Sequence, residues 1–172
     1  MKRRIYLFRH GKSSWDDRAR EDRGRDLSAR GRKASEKMGE WCAANAVVPD
    51  LVLCSTATRA RETLARLLPH LKSAARIEFE DALYLAEADA LLGRLRRLNG
   101  AASGVMVVGH NPGPHKLAAT LAGSGEPADL ARLNAKFPTA ALAELSADLK
   151  SWRDLDRGKC RLERFILPRE LP

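Results

Sequence analysis

Aromatic residues and cysteines are scarce in this sequence. Phe, Trp and Tyr together make up 5% of the 172 residues, so the core has to be built chiefly from Leu, Ala and Val. The three cysteines, Cys42, Cys54 and Cys160, are odd in number and widely spaced, which argues against a disulfide framework and favours a reducing compartment. No CxxC pair is present, and this argues against a zinc knuckle.

Long hydrophobic runs are also absent. After a basic start, only the four residues 5–8 are apolar before Arg9, whereas the apolar region of a secretory signal needs roughly twice that number or more. No segment approaches the ~18 apolar residues that can span a bilayer. We therefore expect a cytoplasmic protein with no membrane partner. The length of 172 residues favours a single domain over residues 1–172.

The charge balance is strongly positive. Lys and Arg outnumber Asp and Glu by 31 to 22, which gives a net charge of +9 at pH 7. Such a surplus favours anionic partners, namely phosphorylated molecules, acidic protein surfaces or nucleic acid. The sequence contains no nucleic-acid-binding motif and no aromatic stacking platform, so we expect no specific nucleic-acid partner.

Short apolar segments alternate with amphipathic ones along the chain. Strands are predicted at 4–8, 50–55, 76–80 and 104–109, and helices at 28–48, 56–71, 89–98 and 112–122. Segments 139–145 and 160–167 are predicted to be paired outer strands, 123–138 is less regular, and 12–26 is a long polar loop. This alternation predicts an α/β fold, a three-layer sandwich with a mainly parallel central sheet.

Three of the predicted strands are followed by polar residues that can take part in catalysis or in ligand binding. Arg9 and His10 follow the first strand, Arg59 lies shortly after the second, and His110 follows the fourth. Ligands bind at the carboxyl ends of the strands in open α/β sheets, so we expect these four side chains to converge. A metal site is not expected, because His110 and His115 have the wrong spacing and no third ligand is apparent.

The four groups suit phosphoryl transfer. A neutral imidazole is a nucleophile near pH 7, and its attack on phosphorus gives a phosphohistidine that water can hydrolyse. Guanidinium groups bind phosphoryl oxygens in bidentate fashion, and a protonated second histidine would add another donor. Gly11 would allow the backbone to approach the anion closely.

The chain resembles the histidine phosphatase superfamily, the branch that contains phosphoglycerate mutases and acid phosphatases, and more narrowly its short SixA-type phosphohistidine phosphatases. The resemblance rests on four ordered motifs: Arg9-His10-Gly11, Leu27-Ser28-x-x-Gly31, Ser55-x-x-x-Arg59-Ala60-x-x-Thr63 and Gly109-His110-Asn111-Pro112. The wider segments RHGKSSWDD and GHNPG fit the SixA-like group in particular. The resemblance implies a phosphoglycerate mutase-like fold with minimal insertions.

The resemblance also implies roles for individual residues. His10 would be phosphorylated, Arg9, Arg59 and His110 would bind the phosphoryl group, and no metal or cofactor would be needed. Gly11 and Ser13 are further candidates for substrate binding. Many relatives place a carboxylate proton donor after the third strand, where Glu87 is the candidate; its rivals in the first loop are Asp16, Asp17 and Asp22.

These roles predict a phosphatase that works through a phosphohistidine intermediate on His10. A short chain without a large insertion suits an open site and a phosphorylated protein, such as a histidine-phosphotransfer domain in signal transduction. One alternative is a phosphatase or mutase acting on a small phosphorylated metabolite. Another, of a different class, is a phosphate-binding module without catalytic activity.

Overall fold

The computed structural model describes residues 1–17 and 19–172 and is organised around one seven-stranded sheet. The strands are β1 (Lys2–Arg9), β2 (Leu51–Ser55), β3 (Arg76–Glu80), β4 (Gly104–Gly109), β5 (Ala122–Gly125), β6 (Leu142–Asp148) and β7 (Cys160–Ile166). Their order in the sheet is β3-β2-β4-β1-β6-β7-β5. Only β6 runs antiparallel to its neighbours, so the prediction of a mainly parallel sheet is confirmed.

Five α-helices pack against the two faces of the sheet: α1 (Ala29–Ala44), α2 (Thr58–Leu67), α3 (Ala88–Arg96), α4 (Gly113–Leu121) and α5 (Pro127–Ala135). Side chains of β1 point alternately to opposite faces. Phe8 belongs to the core under α1 and α2, and Leu7 to the core under the other three helices. The predicted three-layer sandwich is therefore confirmed. Within the described residues, no helix has the length and hydropathy that crossing a membrane would require.

Every predicted helix and strand is present, but the irregular segment 123–138 contains structure that the pattern did not reveal. It includes most of the edge strand β5, whose sequence AGSG has no apolar alternation, and the short helix α5. The prediction that the two late segments pair is confirmed, but neither is an outer strand. β6 lies between β1 and β7, and β7 lies between β6 and the edge strand β5. All residues of β6 except Asp148 are buried, and they include the polar Glu144 and Ser146.

The sheet brings the candidate residues to one edge. Arg9 is paired with Gly109 across the β1–β4 ladder, so the residues that follow, His10 and His110, leave the sheet side by side. The backbone N–H of His10 donates to the carbonyl oxygen of Gly109 at 3.0 Å. β2 lies on the other side of β4 and ends at Ser55, directly before the turn into α2. Parallel topology thus places three distant sequence motifs together.

Gly113 at the start of α4 packs directly on the loop before α3. A Cβ at this position would lie 2.0 Å from the carbonyl oxygen of Ala86, so the backbone would have to shift. We expect Gly113→Ala to lower the free energy of unfolding by about 1–3 kcal/mol. In Gly93→Ala, a matched control, the new Cβ meets only Arg97 Nη1 at 3.5 Å.

Chemical denaturation of both variants measures the two effects. Because Gly93 is inside α3 and has room for a methyl group, Gly93→Ala should raise the free energy of unfolding by about 0.5–1 kcal/mol. Equal effects in the two variants would show that the contact between Gly113 and Ala86 does not constrain α4.

Candidate active site

The rings of His10 and His110 lie next to each other at the carboxyl edge of the sheet, with their planes tilted by 56°. Their centroids are 5.0 Å apart, and the side chains are buried, with 7% and 2% of their surfaces exposed. Arg59, in the first turn of α2, is 3% exposed and reaches the same point. Arg9 is half-buried, and its charge contributes to the low pKa of both imidazoles. The structure therefore brings together all four residues singled out from the sequence.

His10 is held in one orientation by hydrogen bonds to both ring nitrogens. Nδ1 lies 2.6 Å from the carbonyl oxygen of Gly11, which can only accept, so Nδ1 carries the proton. Nε2 lies 3.3 Å from Nε of Arg59, which donates to it. The unprotonated Nε2 therefore points into the site, where it can act as a nucleophile.

A short chain of hydrogen bonds joins α2 to the turn after β1. The Gly11 N–H donates to Thr63 Oγ1 at 2.9 Å, and the Thr63 hydroxyl donates to the carbonyl oxygen of Arg59 at 2.7 Å. Thr63 lies one helical turn after Arg59, which explains the spacing of the Arg59-Ala60-x-x-Thr63 motif. This contact fixes Arg59 relative to His10.

Arg59 also binds a carboxylate from the long loop before α1. Its Nη1 donates to the carbonyl oxygen of Asp22 at 2.6 Å, and its Nη2 to Asp22 Oδ2 at 3.0 Å. The Tyr84 hydroxyl donates to the same carboxylate oxygen. The hydrogen bonds from Tyr84 and Arg59 hold the pKa of Asp22 below its ordinary value. Asp22 is therefore an anion at neutral pH and does not carry a proton to donate.

His110 and Arg9 each present a buried nitrogen that has no hydrogen-bond partner within the described residues. His110 Nε2 lies 2.7 Å from Ser55 Oγ, and its Nδ1 is unpaired. Arg9 donates from Nη1 to the carbonyl oxygen of Phe137 at 2.8 Å, while its Nε is unpaired. Buried polar atoms are nearly always paired in folded proteins, so both nitrogens are candidates to bind an anionic ligand.

Both imidazoles at the site are neutral at physiological pH. Burial lowers the pKa of His10 to about 3, and the nearby charges of His110, Arg59 and Arg9 act in the same direction. Burial, followed by the charge of Arg59, lowers the pKa of His110 to about 4. The second histidine would add a charged donor only if it were protonated, and in the free protein it is neutral, because the desolvated site already contains two guanidinium groups.

An NMR titration can check these protonation states. In long-range ¹H–¹⁵N spectra, we expect both rings to stay neutral from pH 7 down to about pH 5, because their pKa values lie below the ordinary 6.5. His10 should show the tautomer with its proton on Nδ1. The urea-unfolded chain serves as the control, since its histidines should titrate near pH 6.5. A His10 ring that titrates near pH 6.5 in the folded protein would contradict this arrangement.

Gly11 and Ser13 occupy different surroundings from Arg9, His10, Arg59 and His110, the four central residues of the site. A Cβ on Gly11 would lie 2.7 Å from Ser35 Oγ and 2.8 Å from the carbonyl oxygen of Gly31, so close packing against α1 accounts for this glycine. The hydroxyl of Ser13 accepts a hydrogen bond from Arg25. Their binding of substrate stays a prediction.

The candidate proton donors are placed very differently from one another. Glu87 precedes α3, is 65% exposed and lies 3.7 Å from Lys116 Nζ. Asp16 and Asp17 are exposed loop residues, and Asp17 pairs with Arg20 at 3.2 Å. None of these three carboxylates hydrogen-bonds to the four central residues within the described part of the chain. A proton-donating role for Glu87 stays a prediction.

Tyr84 is a site residue that sequence reasoning missed. Its ring lies edge-on to His110 with a centroid distance of 5.4 Å, and its hydroxyl binds Asp22. It follows β3, which neighbours β2 and ends at the same edge of the sheet. The sequence did offer a signal for it, because Tyr84 is one of only two tyrosines and lies shortly after a predicted strand.

Comparisons with known proteins identify the family of the chain. The model of the histidine phosphatase superfamily (branch 1) matches residues 5–90, a segment that contains Arg9, His10 and Arg59. The uncharacterised protein Rv1276c of Mycobacterium tuberculosis is 37% identical over 164 residues, which cover 94% of this chain and all of the relative.

Two similar solved structures carry a provisional assignment as the phosphohistidine phosphatase SixA. The protein from Nakamurella multipartitia is 27% identical with a TM-score of 0.83, and the match covers 98% of this chain and 97% of the other. The protein from Agrobacterium tumefaciens is 30% identical with a TM-score of 0.80, covering 96% and 98%. Both matches extend past the segment 5–90. The resemblance and the phosphoglycerate mutase-like fold predicted from the motifs are confirmed, and the chain belongs to the histidine phosphatase superfamily.

Proposed function

We propose that this protein is a phosphatase that removes the phosphoryl group from phosphohistidine in a protein, through a transient phosphohistidine on His10. The observation that carries this proposal is the orientation of His10. Its Nδ1–H is fixed on the Gly11 carbonyl oxygen, and its unprotonated Nε2 faces the guanidinium of Arg59. A pKa of about 3 keeps this nitrogen free of a proton under all physiological conditions.

In the first step, the phosphoryl oxygens are bound by Arg59, Arg9 and His110. Arg59 exchanges the Asp22 carboxylate for phosphoryl oxygens, and the unpaired Arg9 Nε–H donates a further hydrogen bond. Neutral His110 donates from Nδ1 in the tautomer in which its Nε2 accepts from the Ser55 hydroxyl. The Nε2 lone pair of His10 attacks phosphorus, and the P–N bond to the substrate imidazole breaks. Its electron pair leaves with that imidazole. Positioning and charge stabilisation carry most of the catalysis in such a transfer.

In the second step, water attacks the phosphorus of phospho-His10. The P–N bond to Nε2 breaks, its electron pair returns to the ring, and inorganic phosphate is released. The Gly11 carbonyl oxygen keeps Nδ1 protonated throughout and so preserves the reactive tautomer. The guanidinium groups stabilise the charge on the transferred group in both steps.

The acid–base properties of the site favour a phosphoramidate over a phosphate ester. Asp22, the carboxylate nearest to the reacting groups, is ionised, and Glu87 is exposed and paired with Lys116. An alkoxide leaving group needs a proton donor, whereas a phosphorylated imidazole that is protonated on its other ring nitrogen takes up the electron pair and leaves as neutral imidazole without one. The similarity to proteins provisionally assigned as phosphohistidine phosphatases also supports this substrate class.

Substrate comparison tests this proposal. We expect phosphohistidine on a histidine-phosphotransfer domain to be hydrolysed with a kcat at least about 100-fold higher than that for sugar phosphates, because general acid catalysis is worth 10²–10⁴-fold. Glu87→Gln should leave phosphohistidine turnover unchanged. Equal turnover of sugar phosphates would instead favour the metabolite phosphatase, and a strong effect of Glu87→Gln on them would identify the acid.

A further inference from the structure

A groove with a strongly positive lining lies beside the candidate active site. Its volume is about 630 Å³, and Arg9 lies in its wall. Six further cationic residues line what we call the basic groove: Lys12, Arg30, Lys33, Lys37, Lys136 and Arg169. No carboxylate among the described residues lines it. The net charge of the whole chain is +9, so the basic groove holds a large share of the positive surplus.

The basic groove is assembled from separate segments of the chain. Arg30, Lys33 and Lys37 lie on one face of α1, because they are three and four residues apart. Lys136 follows α5, and Arg169 comes from the C-terminal segment after β7. Only the folded chain brings these charges to one surface.

The cations of the basic groove have no carboxylate partner in residues 1–17 and 19–172. None of the six forms an ion pair within the described residues, although arginines elsewhere are paired, for example Arg94 with Glu80 at 2.7 Å. Lys37 donates to the carbonyl oxygen of Leu171 at 2.7 Å, and the other five are exposed. Like charges held together without counter-charges repel one another, so an external anion would stabilise this surface.

The dimensions of the basic groove favour an extended anionic surface over a single phosphate. Arg30 and Lys37 are separated by two helical turns, which is about 10 Å along the axis of α1. Four of the seven cationic residues of the basic groove are lysines, which are flexible point charges and do not form the fixed fork that binds one phosphate tightly. Several carboxylates spread over a protein surface match this arrangement better.

We infer that the basic groove docks an acidic surface of the phosphoprotein substrate, next to the phosphohistidine that enters the active site. This inference rests on the proposed function. Arg9 connects the two regions, because it lines the basic groove and lies beside His10 in the sequence and in the site. Exposed complementary charges mainly speed association, so docking should act on kcat/KM and fade with salt.

The inference is tested with Lys33→Glu/Lys136→Glu, which reverses two exposed charges from different segments of the basic groove. A matched control, Lys72→Glu/Lys150→Glu, changes the net charge equally at exposed lysines that do not line the groove. Each variant is assayed with two probes. One is a phosphorylated histidine-phosphotransfer domain with a surplus of Asp and Glu around its phosphohistidine, and the other is free phosphohistidine.

We expect the groove variant to lose about 10–100-fold in kcat/KM on the phosphorylated domain at low salt, with a smaller loss at high salt. Its kcat/KM on free phosphohistidine should remain within about twofold of wild type, and the control variant should change little on either probe. A thermal unfolding transition like that of the wild type would show that each variant is folded.

Other outcomes overturn the inference in distinguishable ways. Equal losses in the groove and control variants would mean that only net charge matters. An equal loss on free phosphohistidine would mean that the basic groove serves the reacting group itself. If the wild-type protein hydrolyses neither probe, the proposed function fails, whatever the basic groove binds.

Discussion

Replacing His10 with asparagine is expected to abolish the covalent phosphoenzyme and to reduce kcat for phosphohistidine by at least about 10⁴-fold. The amide can still donate to the Gly11 carbonyl oxygen, as Nδ1 does now, but it offers no nucleophilic nitrogen lone pair. The measurement uses ³²P-phosphorylated protein substrate, a rapid alkaline quench that preserves phosphohistidine, and detection of label on the enzyme.

The matched control for this experiment is His70→Gln. His70 lies 2.8 Å from Glu36, away from the convergent strand ends, and plays no part in the proposed chemistry. This variant should be labelled like the wild type. Persistent label and turnover in His10→Asn would show that another residue is phosphorylated, and would remove the basis of the proposed mechanism.

Replacing Arg59 with alanine is expected to lower kcat/KM on free phosphohistidine by about 10³-fold. The Arg59 side chain is 3% exposed and contacts the nucleophilic nitrogen of His10. It also donates to the main-chain carbonyl oxygen and to the carboxylate of Asp22. Its removal leaves the developing phosphoryl charge without its main buried donor. Arg59→Lys should recover little activity, because a single ammonium cannot replace the bidentate fork.

Arg61→Ala provides the control on the same helix. Arg61 is exposed and packs over the Phe79 ring at 5.6 Å, outside the site, so its loss should change kcat/KM less than twofold. Comparable losses in the Arg59 and Arg61 variants would indicate a general effect of charge on substrate capture. They would contradict a direct contact between Arg59 and the phosphoryl group.

Much of the site could be predicted from the sequence because the relevant signals are local. Alternating apolar residues and short buried runs identified the strands, and polar residues at their ends marked the edge where ligands bind. Arg9 ends β1, and His10 and His110 directly follow β1 and β4, so the parallel pairing of these two strands brings the three residues together. The one-turn spacing from Arg59 to Thr63 is likewise visible in the sequence, although the hydrogen bond to Gly11 is not.

Other features depend on contacts that no local pattern encodes. The pairing of Asp22 with Arg59 and Tyr84 follows from the path of a long loop, and it lowers the pKa of Asp22 below its ordinary value, which makes this carboxyl group a poorer proton donor. The reason for Gly11 is packing against Ser35 and the backbone of α1, where the sequence suggested a close approach to the anion. The edge strand β5 was missed because it is defined only by its pairing with β7.

The sequence by itself determined the α/β architecture and the residue types available for phosphoryl chemistry. The spacing of apolar residues and the positions where strands end depend on residues that are neighbours in the sequence, so both can be predicted from it. Only the tertiary structure decided which groups are neutral, which carboxylate faces Arg59, and which lysines and arginines form the basic groove. Protonation states and charge pairing depend on burial and on distances between remote residues, and these are set only when the chain is folded.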